Sequence, residues 1–332
     1  MSETYLTTEN KRMQEKGLFQ QNVIAIIWDF DRTLSPHYMQ EPLFEAYGVD
    51  SDGFWSEISA LPGYYARAGV HVQRDTCYLG HLLSYVQHGR MPGLNNAKLR
   101  ELGNRIEFFP GIRELFDRFD VLVRSAHYGE LGLRVEHYVV STGLAEMIRG
   151  SRIAARLAGI WASEFIETPA APGADLSRHP ESGPISQIAG FLDHTTKTRA
   201  IFEINKGVNM LPGITVNDMI PEEDRRVPFK NMIYIADGPS DIPSFSVVRK
   251  QGGLAYAVYD PASEEQFAQA VALQEQERVD AYGPADYQHD SPTDRWLQLQ
   301  VKRIAERILL ERKQAFNRRV ARGPVHLDEG KT

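Results

Sequence analysis

Val23-Ile24-Ala25-Ile26-Ile27-Trp28 runs directly into Asp29-Phe30-Asp31-Arg32-Thr33, and the reading of this join decides the fold. A short, β-branched apolar run that ends in two aspartates reads as a buried strand carrying two carboxylates at its C-terminal end. Residues i and i+2 of an extended chain point the same way, so Asp29 and Asp31 can face one cleft. Two acids at the mouth of a parallel sheet suit a hard cation and phosphate chemistry.

The chain has 332 residues, enough for one large α/β domain and an accessory domain. With 42% hydrophobic and 24% charged residues, its composition is that of an ordinary soluble globular protein. The net charge of −7 argues against a whole-surface nucleic-acid binder. Cys77 is the single cysteine and cannot form an internal disulfide, which points to a reducing compartment. Met1 to Gln21 is polar and charged, unlike a signal peptide, and no stretch approaches the roughly 20 apolar residues of a membrane helix. A cytoplasmic protein without membrane association is expected.

Beyond the first strand, Pro36 to about Arg105 reads as helices broken at Gly48, Leu61-Pro62-Gly63, Gly89 and Met91-Pro92-Gly93. Aromatic and apolar residues recur there, among them Phe44, Phe54, Trp55, Tyr78 and Leu82, as in a helical module with its own core. Pro110-Gly111 opens a helix on which Ile112, Leu115, Phe116 and Phe119 have helical spacing. Tyr138-Val139-Val140 ends at Ser141-Thr142-Gly143, and Gly159-Ile160-Trp161-Ala162 leads into Ser163-Glu164-Phe165-Ile166. Pro169 to Pro184 reads as a loop.

A helix over Thr196 to Asn205 carries Lys197 in its first turn. Met232 to Ala236 ends at Asp237-Gly238, and Leu254 to Val258 is read as a final strand. Strands alternating with helices favour a mostly parallel sheet with function at its C-terminal edge. Thr293 to Arg319 is a long helix with Leu297, Val301, Ile304 and Ile308 on one stripe. Its other face carries Lys302, Arg303, Arg307, Arg312, Lys313, Arg318 and Arg319. The helix either packs on the core with a solvated charged face or forms a homodimer contact; nucleic-acid binding fits poorly with the acidic whole.

Four separated elements then line up: Asp29-x-Asp31-x-Thr33, Ser141, Lys197 and Asp237-Gly238-Pro239-Ser240-Asp241. None is specific alone, since serines cap helices and Asp-Gly makes turns. In this order and context the chain resembles the haloacid dehalogenase-like (HAD) hydrolase superfamily, within it the phosphoserine-phosphatase-like branch. The resemblance spans Val23 to Tyr259 apart from the helical insertion. It implies an α/β fold with a Rossmann-like, mostly parallel sheet core over 20–37 and 106–283. A helical cap over 38–105 would follow the first strand, and 284–332 would be a C-terminal helical extension.

By this resemblance Asp29 is the nucleophile that forms an aspartyl-phosphate, and Asp31 is general acid and then base. Phosphoryl transfer spreads negative charge over the transferred oxygens, so positive charge and positioning matter most. Lys197 would neutralise the phosphate and hold Asp29 ionised. Ser141 would bind a phosphate oxygen with the backbone of Thr142 and Gly143, taken as a helix start. A neighbouring carboxylate would raise the pKa of Asp31. Mg²⁺ is the implied metal, because the available ligands are hard oxygens and no cysteine–histidine cluster exists. Asp29, Asp31 through its carbonyl, and Asp237 would bind it, with Asp241 behind them. Thr33 would orient the turn, and Gly238 would allow unusual backbone angles.

The second aspartate separates branches, since dehalogenases and phosphonate-cleaving members lack it and transport ATPases have threonine there. The chain is therefore expected to be a Mg²⁺-dependent phosphatase acting on a small-molecule phosphate monoester. A phosphomutase or phosphotransferase is the enzyme alternative, and a non-catalytic binding protein on this scaffold is the other. In the serine phosphatases a glutamate seven residues past the second aspartate binds the substrate amine. Tyr38 stands there, which argues against phosphoserine itself. Ala236 also replaces the usual glycine ahead of Asp237. Arg67, His71, Arg74, His81, His88 and several tyrosines of the insertion are the candidate cap contacts.

Overall fold

The computed structural model describes residues 19–320. Seven strands form one sheet in the order β4-β3-β2-β1-β5-β6-β7. They are β1 (Val23–Trp28), β2 (Arg134–Leu144), β3 (Leu157–Ile166), β4 (Gln187–Gly190), β5 (Met232–Ala236), β6 (Leu254–Tyr259) and β7 (Ala281–Pro284). All pairs are parallel except β3 with β4. The chain runs outward from β1 through β2 and β3, then returns to β1's other side at β5. That reversal opens a crevice beyond the C-terminal ends of β1 and β5.

Every residue of β1 is buried, as its central position requires. Its side chains alternate between two cores. Ile24, Ile26 and Trp28 face a layer that includes α5 (Ile112–Val123) and α10 (Pro292–Val320). Val23, Ala25 and Ile27 face the layer of α7 (Lys197–Lys206), α8 (Ile242–Lys250) and α9 (Glu264–Glu275). Trp28 Nε1 donates to Nδ1 of the buried His137 at 3.2 Å, and that ring stacks on Phe116. Burial pulls the His137 pKa down to about 3, so this core histidine is neutral.

Between β1 and α5 lie α1 (Glu41–Tyr47), α2 (Ser51–Ala66), α3 (Cys77–Gln87) and α4 (Asn96–Gly103). The expected break at Leu61-Pro62-Gly63 does not occur, because α2 continues through Pro62. Proline removes the N–H that would reach the Ile58 carbonyl, and the Cys77 thiol approaches that oxygen at 4.0 Å instead. Gly48 does end α1, in the left-handed conformation. Phe44, Phe54, Trp55, Tyr78 and Tyr85 form a contiguous aromatic cluster across α1 to α3.

Helix α4 is seated on α6 (Ala145–Gly150), which follows β2. A Cβ on Gly103 would lie 2.0 Å from the Met147 carbonyl oxygen, and one on Gly150 would lie 1.7 Å from that of Arg100. This foot of the insertion is therefore bound backbone to backbone to the sheet layer.

Two strands were not expected from the sequence. β4 is an antiparallel edge strand after the Pro169–Pro184 loop, and β7 follows β6, which is therefore not the last strand. The stripe of Leu297, Val301, Ile304 and Ile308 on α10 is buried within the chain's own core. On its basic side, Arg307 donates to the Lys230 carbonyl and to Asn231. The side chains of Arg318 and Arg319 lie outside the described residues. No helix among the described residues is long and apolar enough to cross a membrane.

The α4–α6 seat gives a direct test. Gly150→Ala should destabilise the protein by about 1–3 kcal/mol, because the obstructing atom is backbone and cannot swing away. Chemical denaturation measures this, and an unchanged midpoint would show that the helices separate freely.

Candidate active site

The backbone N–H of Asp29 donates to the Ile235 carbonyl at 2.9 Å, so the ladder between β1 and β5 fixes the first acid. The chain then wraps around the Phe30 carbonyl, which accepts from the N–H groups of Leu34 and Ser35. Arg32 takes a left-handed conformation with φ 57° inside this loop. Thr33 is buried and its Oγ1 has no hydrogen-bond partner among the described residues. The turn is braced instead through the Thr33 carbonyl, to which the Tyr287 hydroxyl donates at 2.6 Å.

Lys197 opens α7 and is 1% exposed. Asp193 holds the preceding turn by accepting from the backbone N–H groups of Thr195 and Thr196. The Lys197 ammonium donates to Asp29 Oδ1 and to Asp241 Oδ1, both at 2.8 Å. Asp241 is 0% exposed and also accepts from the hydroxyls of Tyr234 at 2.6 Å and Ser240 at 2.8 Å. Asp237 ends β5 beside them, and carboxylate oxygens of Asp29, Asp237 and Asp241 lie within 4.8 Å of one another. Gly238 has φ −160° and ψ −170°, an extended conformation open to any residue, so the expected special backbone angle is absent.

Asp31 Oδ1 accepts the Met39 N–H at 2.8 Å, and the Met39 sulfur approaches the Leu144 N–H at 3.1 Å. Met39 thus ties the second acid to the end of β2. The Ser141-Thr142-Gly143 turn lies within β2, one residue short of the helix start that the sequence suggested. Thr142 and Gly143 line the cleft. Ser141 is buried behind them, with its Oγ accepting the Gly143 N–H at 3.0 Å.

Burial sets the electrostatics. It raises the Asp29 pKa to about 6 against the opposing pull of Lys197. Burial first, and the charge of Asp29 second, push Asp31 up to about 7. Asp237 rises to about 8, through burial and then the charges of Asp29 and Asp241. For Lys197, burial opposes the charged form, but Asp241 and Asp29 outweigh it and raise the pKa. The neighbouring carboxylate expected to tune Asp31 is thus secondary to desolvation.

The cleft encloses about 550 Å³ between these acids and the helical insertion. Of the candidate cap contacts Arg74 lines it, and so do the tyrosines Tyr38 and Tyr78. Arg67 lies over the Tyr64 ring, His81 bonds Glu57 and His88 bonds the Ser84 carbonyl. Arg32, Gln40, His194 and Gln269 also face the cleft and were not singled out in the sequence, while Trp55, read there as core of the insertion, faces it too. Arg32 sits inside the Asp29-to-Thr33 motif and His194 three residues ahead of Lys197, so proximity to the motifs was the signal available for them. His194 Nδ1 lies 3.3 Å from Asp75, joining the insertion to the segment before α7.

The donor set fits a divalent cation. Lys197 is shared by Asp29 and Asp241, and neither Asp31 nor Asp237 has an ion-pair partner among the described residues. Such a concentration of hard oxygens attracts a small, highly charged ion.

A curated protein of Borreliella burgdorferi is 38% identical over 232 residues, covering 69% of this chain and 79% of that one. The chain belongs to that protein's family. The relative's name is "Uncharacterized protein", which gives no activity. No protein-family model matches the chain. Similar solved structures include a HAD family hydrolase from Salmonella enterica serovar Typhi, at 14% identity and TM-score 0.44, covering 84% of this chain and 77% of that one. A phospho-aspartyl intermediate analogue of phosphoserine phosphatase is 17% identical with TM-score 0.44, covering 81% and 95%. A probable phosphoserine phosphatase from Vibrio cholerae is 12% identical with TM-score 0.48, covering 92% and 76%. Likeness at this level carries no argument about chemistry, which rests on the site itself.

Two measurements test the electrostatics. Lys197→Met leaves two buried acids without their cation and should cost about 3–5 kcal/mol of stability in urea denaturation. The second concerns pH. Asp29, Asp31 and Asp237 bind protons more tightly folded than unfolded. Their stabilising contribution is complete below the ordinary carboxylate range near pH 4 and is lost as pH rises through about 6, 7 and 8. Metal-free protein should therefore lose stability between about pH 5 and pH 9, and Asp237→Asn should flatten that slope.

Proposed function

We propose that this protein is a Mg²⁺-dependent, HAD-type phosphatase that hydrolyses a small-molecule phosphate monoester in the cytoplasm through an aspartyl-phosphate on Asp29. The observation that carries the reading is the buried Lys197 ammonium bridging Asp29 and Asp241 beneath a cleft that Asp31 and Asp237 also face. A binding site with no chemistry to perform has no use for four crowded carboxylates around one lysine.

Lys197 holds Asp29 Oδ1, so Oδ2 is the oxygen left to attack phosphorus. The ester bond breaks as the new P–O bond forms, and the departing alkoxide takes a proton from Asp31. With its pKa near 7, Asp31 holds that proton close to neutral pH, and the Met39 N–H fixes one of its oxygens. Asp31, now ionised, takes a proton from the water that attacks the aspartyl-phosphate, releasing phosphate and restoring both acids. Asp29, Asp237 and the Asp31 backbone carbonyl are the groups that would hold Mg²⁺, whose charge would offset that of the transferred phosphoryl oxygens. Thr142 and Gly143 supply part of the cleft wall.

A panel of phosphate esters with and without Mg²⁺ tests this reading by release of free phosphate. An isomerised sugar phosphate with no free phosphate would instead identify a mutase, and no turnover on any ester would identify a binding protein. Asp29→Asn should lower kcat by roughly a thousandfold or more while the protein stays folded. Asp31→Asn should lower it roughly 10²- to 10⁴-fold for an alkyl phosphate, whose leaving group needs a proton. An undiminished rate in either variant would remove that residue from its role.

A further inference from the structure

Tyr78 belongs to α3 of the insertion, yet its hydroxyl ends on the sheet layer. It donates to the Thr142 carbonyl at 2.6 Å, and Ser163 Oγ of β3 donates to the same oxygen at 3.1 Å. The Thr142 carbonyl and the Gly143 N–H belong to one peptide plane and point in opposite directions across it. The N–H end donates to Ser141 Oγ at 3.0 Å. Fixing the carbonyl therefore fixes which way the serine hydroxyl accepts, and so which way its own O–H can turn.

Met39 packs closely on the other side of the turn. A Cβ on Gly143 would meet the Met39 side chain at 2.2 Å, and Met39 is itself tied to Asp31. The phenol is dependable as a donor, because burial and then the charge of Asp31 raise its pKa well above the ordinary tyrosine value. Its ring packs beside Trp55, and both residues line the cleft.

We propose that Tyr78 is a positioning residue that makes the phosphate-binding turn depend on the seating of the insertion over the cleft. This rests on the phosphatase reading and adds a coupling to it. With the insertion seated, the peptide plane is clamped from both sides and Ser141 is aimed. With Tyr78 withdrawn, Ser163 alone holds the carbonyl. Coupling is reciprocal, so a phosphate group in the cleft holds the insertion down.

The test uses inorganic phosphate as the probe, with Tyr78→Phe, which keeps the ring and removes only the hydroxyl, and Ser163→Ala as the comparison. Calorimetry should show phosphate affinity weakened roughly five- to thirtyfold in Tyr78→Phe, the size expected for one lost hydrogen bond. In wild type and in Ser163→Ala, phosphate should slow amide exchange in residues 51–87; in Tyr78→Phe that protection should be lost. A structural role alone would lower thermal stability without uncoupling phosphate from that exchange. Unchanged affinity with retained protection in a folded Tyr78→Phe would overturn the inference. A wild type that neither binds phosphate nor turns over any ester would overturn the phosphatase reading instead.

Discussion

The Lys197 ammonium between Asp29 and Asp241 is the constraint on which the site depends. Removing a lysine and two aspartates from water costs several kcal/mol per ion, and only close pairing with further hydrogen bonds offsets it. Here the pairing is completed by Tyr234 and Ser240 on Asp241 and by the β5 ladder behind Asp29. One ammonium thereby locks three elements together: the end of β1, the start of α7 and the turn into α8. Neutralising Asp29 and Asp241 with a single cation also leaves the pocket with surplus negative charge. Burial first, and that surplus second, raise the proton affinity of Asp31 and Asp237, and the surplus makes the same pocket attractive to a metal ion.

What was legible in the sequence was whatever has a strong local signature. β1 and β5 are buried on both faces and read as continuous apolar runs; α5 and α10 show their stripes. The aspartates and Lys197 were found because each sits at the end of such an element. β4 and β7 escaped because four residues each, with glycine in both and proline in β7, carry no apolar period. They exist through backbone pairing to a neighbour already in place. Pro62 misled for the opposite reason: a strong local breaker was overridden by packing across α2 and α3.

The site's finer geometry was not legible, because it depends on contacts between residues far apart in the chain. Ser141 looked like a residue facing substrate and is a buried one behind Thr142 and Gly143. Gly238 looked like a conformational necessity and is extended. Met39 carries no motif, yet it joins Asp31 to the end of β2 through its own N–H and sulfur. The insertion is likewise less separate than its sequence implies, since α4 is seated on α6 with glycine on both sides.

The bond from Tyr287 to the Thr33 carbonyl spans 254 residues of chain. Its partner segment is held in turn by Arg118, which bonds both the Tyr287 carbonyl and Asp294. During synthesis from the N-terminus, the acids of the first loop emerge long before the residue that braces it. A nascent chain therefore carries these carboxylates before the tyrosine that braces their loop exists. The brace on that loop forms late, when the segment leading into α10 docks.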